Sequence, residues 1–387
     1  MTTLQESYFM NIAPEPAAGI GMCRLVAQLD GEKVCRIDPH IGFSHRGIEK
    51  LMEEHNLLQG LVFTDKLNRS APFSCVHSLV LAAEKLLGVK APKRAECIRV
   101  ILAETGRILS HLRATANLAA DTGTDIVYPV VRKACQQAYA LLDTVCVSCP
   151  PAVFIRPGGI KNDIAPQSKE LIFNWLTKEL PPVLIEIEEL LTENRIFKSR
   201  TVGIGVIGEQ DAVAAGFSGV NLRACGVKWD LRISEPYEIY DSLSFDMPVN
   251  PEGDCYARYL LRIFEIYQSM SIIRQILEML PDGDVLLPDF CMGEKADSLT
   301  ALSRRFELYG TGTALPAGEV YAATESPLGE FGVFLISDGS EKPYRCHFRS
   351  AGFPVMQALD LLTKGYDLAD VRVILSSLNI LTTETDR

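Results

Sequence analysis

The feature that most constrains this chain is a change in the period of its apolar residues. From Cys23 to Leu29 apolar and polar residues alternate, the chain turns at Asp30-Gly31, and alternation resumes from Lys33 to Ile37. A period of two belongs to a half-buried strand, so this stretch reads as a β-hairpin. From about residue 45 the spacing becomes i, i+3, i+4: Val76, Leu79, Val80, Ala83, Leu86 and Leu87, then Ile98, Ile101, Leu102, Ile108, Leu109 and Leu112. Such spacing gathers apolar side chains on one helix face and predicts a helical bundle behind the hairpin. Pro92 marks one helix start, and Gly253-Asp254 precedes a long apolar-rich segment from Tyr259 to Leu280. Pro150-Pro151 and Pro157-Gly158-Gly159 mark an irregular connection, and Pro281 to about Pro316 reads as loop. Glu319 to Thr324 and Phe331 to Ile336 return to strand, with Ser337-Asp338-Gly339-Ser340 turning into Tyr344 to Arg349. The expected fold class is α+β, a central helical bundle between two small β-sheets, divided at 1–44, 45–315 and 316–387.

Composition removes several functions. Asp plus Glu number 49 against 38 Lys plus Arg, a formal net charge of −11 that repels a phosphate backbone, so nucleic acid is not an expected partner. No uninterrupted apolar run reaches the roughly 18 residues of a spanning helix. The start, MTTLQESYFMN, has neither the basic and apolar regions of a signal peptide nor the Arg-rich look of a transit peptide. Eleven cysteines scattered along a large chain suit a reducing compartment better than a disulfide framework.

General motifs say little about chemistry. GxGxxG occurs as Gly203-Ile204-Gly205-Val206-Ile207-Gly208, but the charged run Asn194 to Arg200 precedes it where a dinucleotide fingerprint needs a buried strand. It reads as a plain loop. The one CxxC, Cys146-Val147-Ser148-Cys149, has no second pair to complete a metal site and reads as buried free thiols. Of the six histidines, at 40, 45, 55, 77, 111 and 347, none pairs with another at helical metal-ligand spacing. His77 and His111 read as structural residues with satisfied ring nitrogens.

Longer phrases carry more. DPHIGFSHRGIEKL at 38–51, EKLLGVKAPKRAECIRV at 84–100, RILSHL at 107–112, IRPGG at 155–159 and LLTENRIFKSR at 190–200 are followed by FDMPVNPEGDCYARYL and GEVYAATESPLGEFGVFLISDGSEKPYRC, then a terminal DR. In content and order these resemble the D-type, quinone-module subunit family of respiratory complex I, the proton-pumping NADH:quinone oxidoreductase, in its alphaproteobacterial and mitochondrial form. The resemblance runs from about residue 10 to the C-terminus. It implies a fold like the large subunit of nickel-iron hydrogenases, with no nickel. The two CxxC pairs that hold metal there have no counterpart in Asn68 to Cys75 or Asn379 to Arg387. It also implies a quinone pocket shared with a small subunit that carries the terminal 4Fe-4S cluster. Quinone is then the substrate, and this chain binds no iron-sulfur cluster itself. The further partners implied are the adjacent peripheral-arm subunit and the quinone-channel membrane subunit. The implied location is peripheral, on the cytoplasmic face of a bacterial inner membrane or the matrix face of the mitochondrial one.

The resemblance places Ile20, Arg69, Pro72, Asp121, Asn379 and Ile380 at the quinone pocket, and Arg46, His111 and Cys149 toward the cluster. Ile20 stands where the family has a head-group histidine, and Arg69 where it has a tyrosine. An Arg-x-His triplet is replaced by Cys149-Pro150-Pro151, and an aspartate by Asn379. Asp121, which braces the family histidine, is retained, and Arg69 is expected to supply its counter-charge. The bland readings are hairpin packing for Ile20, a solvated cation for Arg69 and a helix-terminal cap for Asp121. Two functions stay open: a divergent but active quinone-site subunit, or an assembly-competent structural paralogue without quinone chemistry.

Overall fold

The computed structural model describes residues 8–12, 21–146, 150–290 and 299–387. Strands β1 (Tyr8–Ile12), β2 (Arg24–Asp30) and β3 (Lys33–His40) form an antiparallel sheet in that order. Alternation works as read: Leu25, Ala27 and Leu29 of β2 face inward, and Val34 and Ile37 of β3 meet them. Gly31 makes the turn at φ 63°. The sheet is fastened to the far end of the chain, where Val34 N donates to Tyr366 O at 2.9 Å and Ile37 N to Asp360 Oδ1 at 2.7 Å.

Helices α1 (Ile48–Glu54), α2 (Leu57–Thr64), α3 (Pro72–Leu87), α4 (Lys93–Asp121) and α5 (Val127–Val145) follow. Asn56 and Gln59 form a capping box at α2, Pro72 takes the first position of α3, and Gly88 ends α3 at φ 66°. The helix Cys255–Met279 packs against α4, and Asp254 caps its start by accepting from Ala257 N at 2.7 Å. The IRPGG phrase forms a tight hairpin of β4 (Ile155–Arg156) and β5 (Gly159–Ile160). Gly159 is required there, since a Cβ would lie 2.1 Å from Val285 O. The antiparallel sheet β6 (Gly318–Ser326), β7 (Gly329–Ser337) and β8 (Arg345–Arg349) packs on α3.

Two segments bear on the reading of the sequence. Gly203 to Gly208 is a loop between the helices Arg195–Ser199 and Glu209–Ala214, without a preceding strand. The stretch read as loop from Pro281 to Pro316 holds a helix, Leu299–Gly310. Leu299, Leu302, Phe306 and Tyr309 follow helical spacing, which the flanking prolines obscured.

α4 is buried along most of its length although Glu104, Arg107 and His111 lie within it. Glu104 accepts from Arg107 Nε at 3.2 Å, Tyr240 Oη at 2.6 Å and Ser269 Oγ at 2.6 Å. Glu265, on the helix Cys255–Met279, pairs with Arg223 Nε at 3.1 Å and His111 Nε2 at 2.9 Å, with Arg107 Nη1 at 3.6 Å. Arg223 continues to Glu325 on β6 at 2.9 Å, and Arg232 joins Asp230 at 2.7 Å to Glu104 at 3.2 Å. Burial, outweighing the pull of Glu265, lowers His111 to about 4. A neutral His111 therefore donates Nε2–H to Glu265 at neutral pH. A second buried group joins Arg99 to Glu84 at 2.7 Å and to Glu238 at 2.8 Å, and His77 reaches Glu238 at 2.6 Å.

Removing one partner from such a network strands the others in a low-dielectric interior. Glu265→Gln is expected to lower unfolding stability by about 3 to 5 kcal/mol, read by urea denaturation of the full chain. A loss below about 1 kcal/mol would mean that water reaches Arg223 and Arg107.

Candidate functional site

The loop between α2 and α3 is organised by a buried asparagine. Asn68 Oδ1 accepts from Ser70 N and Ala71 N, each at 2.9 Å, and its Nδ2 donates to Glu384 Oε2 at 2.8 Å. Glu384 accepts again from Ala351 N at 3.2 Å, and Thr383 Oγ1 donates to Leu67 O at 2.8 Å. With Asn68 held inward, Arg69 is exposed and turned toward two adjoining cavities.

The larger, about 480 Å³, lies between this loop, α4, α5 and the residues after the helix Leu368–Leu378. Its polar lining includes Arg69, Arg113, Tyr128, Arg132, Tyr139 and Asn379. The smaller, about 300 Å³, shares Arg69, Ser70 and Tyr139 and is walled by Pro72, Phe73, Leu109, Leu142, Pro150 and Pro151. On α5 the spacing of Tyr128, Arg132, Cys135 and Tyr139 (i, i+4, i+7, i+11) puts them on one face. The Arg113 guanidinium lies 5.7 Å from the centre of the Tyr139 ring. Burial raises the pKa of both Cys135 and Tyr139, so both are neutral at pH 7. Asn379 ends its helix in the left-handed conformation, φ 52°, and its buried Nδ2 has no hydrogen-bond partner among the described residues.

The electrostatics oppose those of the whole chain. Among the described residues no Asp or Glu lines the larger cavity, and none of its three guanidiniums is paired with a carboxylate. Among the described residues the one carboxylate at the smaller cavity is Asp143.

The structure brings Arg69, Pro72 and Asn379 together at these cavities. Asp121 lines neither cavity, and Arg69 is not its counter-charge. Its carboxylate, 3% exposed, pairs with Arg372 Nη2 at 3.0 Å and accepts from Ser376 Oγ. Both partners lie one turn apart on the helix Leu368–Leu378, which packs on α4 and offsets a carboxylate at the unfavourable end of that helix. Ile380 also lies away from the cavities, buried in the core, while its neighbour Leu381 lines the larger one. Arg46 is exposed and donates to Lys66 O at 2.9 Å, and His111 is fully buried in the α4 network. Ile20 and Cys149 lie outside the described residues. The sequence reading missed Arg113, Arg132, Tyr128 and Tyr139, of which the α5 members were visible in their helical spacing. Among the described residues no group of three or more His, Cys, Asp or Glu side chains is placed to hold a metal ion.

Residues 121–387 match the family described as respiratory-chain NADH dehydrogenase, 49 kDa subunit. The chain belongs to this family. It is 43% identical to the D-type subunit of the NADH-quinone oxidoreductase of Acidiphilium cryptum, an alignment covering 99% of this chain and 96% of that protein. It is 45% identical to the corresponding protein of Caulobacter vibrioides over 98% and 96%, and 44% identical to that of Brucella anthropi over 100% and 99%. Mixed helix and small sheets are what this membership of the 49 kDa subunit family accommodates.

Glu384, which holds the Arg69 loop through Asn68, is raised by burial from 4.5 to about 7, its hydrogen bonds notwithstanding. Between these values the unfolded chain has lost a proton that the folded one retains, so stability falls as pH rises from about 4.5 to about 7. The expected decline from this group is on the order of 3 kcal/mol and should be flattened in Glu384→Gln, measured by denaturation across that pH range.

Proposed function

We propose that this chain forms a quinone-reduction pocket in an NADH:quinone oxidoreductase, together with a small subunit that carries the terminal 4Fe-4S cluster. Electron transfer from NADH to quinone is coupled there to proton translocation. The observation that carries this reading is a donor-rich cavity opening onto an apolar one, with Arg69 at their junction. A quinone offers two carbonyl acceptors on an apolar body, which such a pair of cavities suits. Membership of the 49 kDa subunit family supports the assignment to the complex.

In this reading Arg69 donates to a quinone oxygen, with Asn379 in the wall of the same cavity. A guanidinium stabilises negative charge that develops on reduction, but with a pKa above about 12 it does not deliver the proton. Protons reach the quinone from elsewhere in the complex or from solvent. Arg46 and the neighbourhood of His111 approach the cluster-bearing partner, and Pro72 borders the quinone path. The fold is that of a nickel-iron hydrogenase large subunit, with 1–44 as the N-terminal sheet region, 45–315 as the bundle and 316–387 as the C-terminal sheet and helices. Nickel does not fit the residues present: Cys75, at the start of the bundle, is a single buried thiol held well above its usual pKa by burial. The chain sits peripherally, against the quinone-channel membrane subunit and an adjacent peripheral-arm subunit, on the cytoplasmic or matrix face. No described helix is long and apolar enough to cross a membrane, which accords with that placement.

A second reading, an assembled subunit without quinone chemistry, is favoured by one observation. Among the described residues, the titratable groups that line the larger cavity besides its arginines are tyrosines and Cys135, with no carboxyl or histidine among them. The two readings separate in membranes where this chain is the sole 49 kDa-type subunit. Inhibitor-sensitive NADH:quinone reductase activity with co-purification of the complex is expected, and Arg69→Leu should lower kcat/KM by about tenfold or more. Co-purification without activity would select the structural reading.

A further inference from the structure

The arginines in this molecule fall into two populations. Those of the interior, Arg99, Arg107, Arg223 and Arg232, are each paired with carboxylates. Those of the larger cavity, Arg69, Arg113 and Arg132, pair with no carboxylate among the described residues, in a chain whose net charge is −11. Three like charges around one cavity repel one another, and a neutral ligand leaves that repulsion in place. Guanidiniums donate and cannot accept, so the charged part of the lining offers donors alone, while Ser70, Asn117 and Gln136 beside it can donate or accept. Two tyrosine rings, Tyr128 and Tyr139, add flat faces, the second already covered on one side by Arg113 at 5.7 Å.

We propose that the cavity selects an anionic, planar aromatic ligand: a quinone that carries an ionised hydroxyl or carboxylate. The proposal rests on the quinone reading for the aromatic body, and on the charges and donors of the cavity for the anion. The ionised oxygen lies among Arg69, Arg113 and Arg132. The apolar remainder extends past Arg69 into the smaller cavity, between Pro72, Phe73, Leu109 and Leu142. At about 480 and 300 Å³ the paired cavities have the size of a small-molecule site.

The test titrates the purified complex that contains this chain with 2-hydroxy-1,4-naphthoquinone, an anion at neutral pH, with its neutral methyl ether, and with inorganic phosphate. The anion is expected to bind about tenfold or more tightly than the ether, an advantage that shrinks as salt is raised. Replacing Arg113→Gln together with Arg132→Gln should abolish the advantage while leaving Arg69 and the apolar cavity in place. Both side chains are exposed, and circular dichroism checks that the fold is kept. Equal binding of anion and ether, unchanged in the double variant, would overturn the anion selectivity while leaving the quinone reading standing. Binding of phosphate with neither naphthoquinone would overturn the proposal at its aromatic half and remove the quinone reading with it. No binding by any of the three would overturn both.

Discussion

The carboxylate of Glu265 is the constraint on which the arrangement of the bundle depends. It lies on one buried helix and faces His111 and Arg107 on another, with Arg223 brought to it from a third segment. Taking any of these charges out of water costs several kcal/mol, and only the complete set offsets it. The helices, the segment around Arg223 to Arg232 and strand β6 with Glu325 must therefore arrive together. Carboxylates outnumber guanidiniums across Glu104, Asp230, Glu265, Glu325, Arg107, Arg223 and Arg232. Glu325 is the member whose pKa is raised, by burial first and by the charge of Asp230 second.

The last residues of the chain turn that rigid interior into a cleft. Asn379 and Leu381 line the larger cavity, Thr383 and Glu384 hold the loop that carries Arg69, and Asp386 accepts from Gly42 N at 2.8 Å and Ser44 N at 2.7 Å. Arg387 reaches Glu49 at 3.1 Å. Segments more than 300 residues apart in sequence are thus registered against one another by a few hydrogen bonds. The Asn68 carboxamide is the pivot, because one of its ends shapes the Arg69 turn while the other grips Glu384. A change at Glu384 is felt at Arg69 without touching it.

Local pattern was legible where local physics decides. The alternation of Cys23 to Leu29 became β2, Pro92 and Asp254 stand at helix starts, and Glu319 to Arg349 became an antiparallel sheet. The helix Leu299–Gly310 was hidden because flanking prolines outweighed a short apolar repeat. At the cleft, family resemblance located Arg69, Pro72 and Asn379. It did not reveal that Asp121 is served by Arg372 and Ser376, because a pairing across some 250 residues leaves no periodic trace. Arg113 and Arg132 were missed for a related reason. Each is an ordinary exposed helix cation until α4 and α5 are placed side by side.

That last point separates the framework from its chemistry. Substituting an exposed arginine such as Arg113 or Arg132 changes stability by only about 0.5 kcal/mol, whereas unpairing Arg107 or Arg223 in the core costs several. The interior network therefore holds the fold whatever stands in the cleft, and the cleft is free to change its donors and its charge. The chain shares well over a third of its residues with its relatives along its whole length, and the guanidiniums of its cleft are not among the groups that hold that framework together. The ligand preference proposed for this cleft rests on its own guanidiniums and tyrosine rings, not on the fold that carries them.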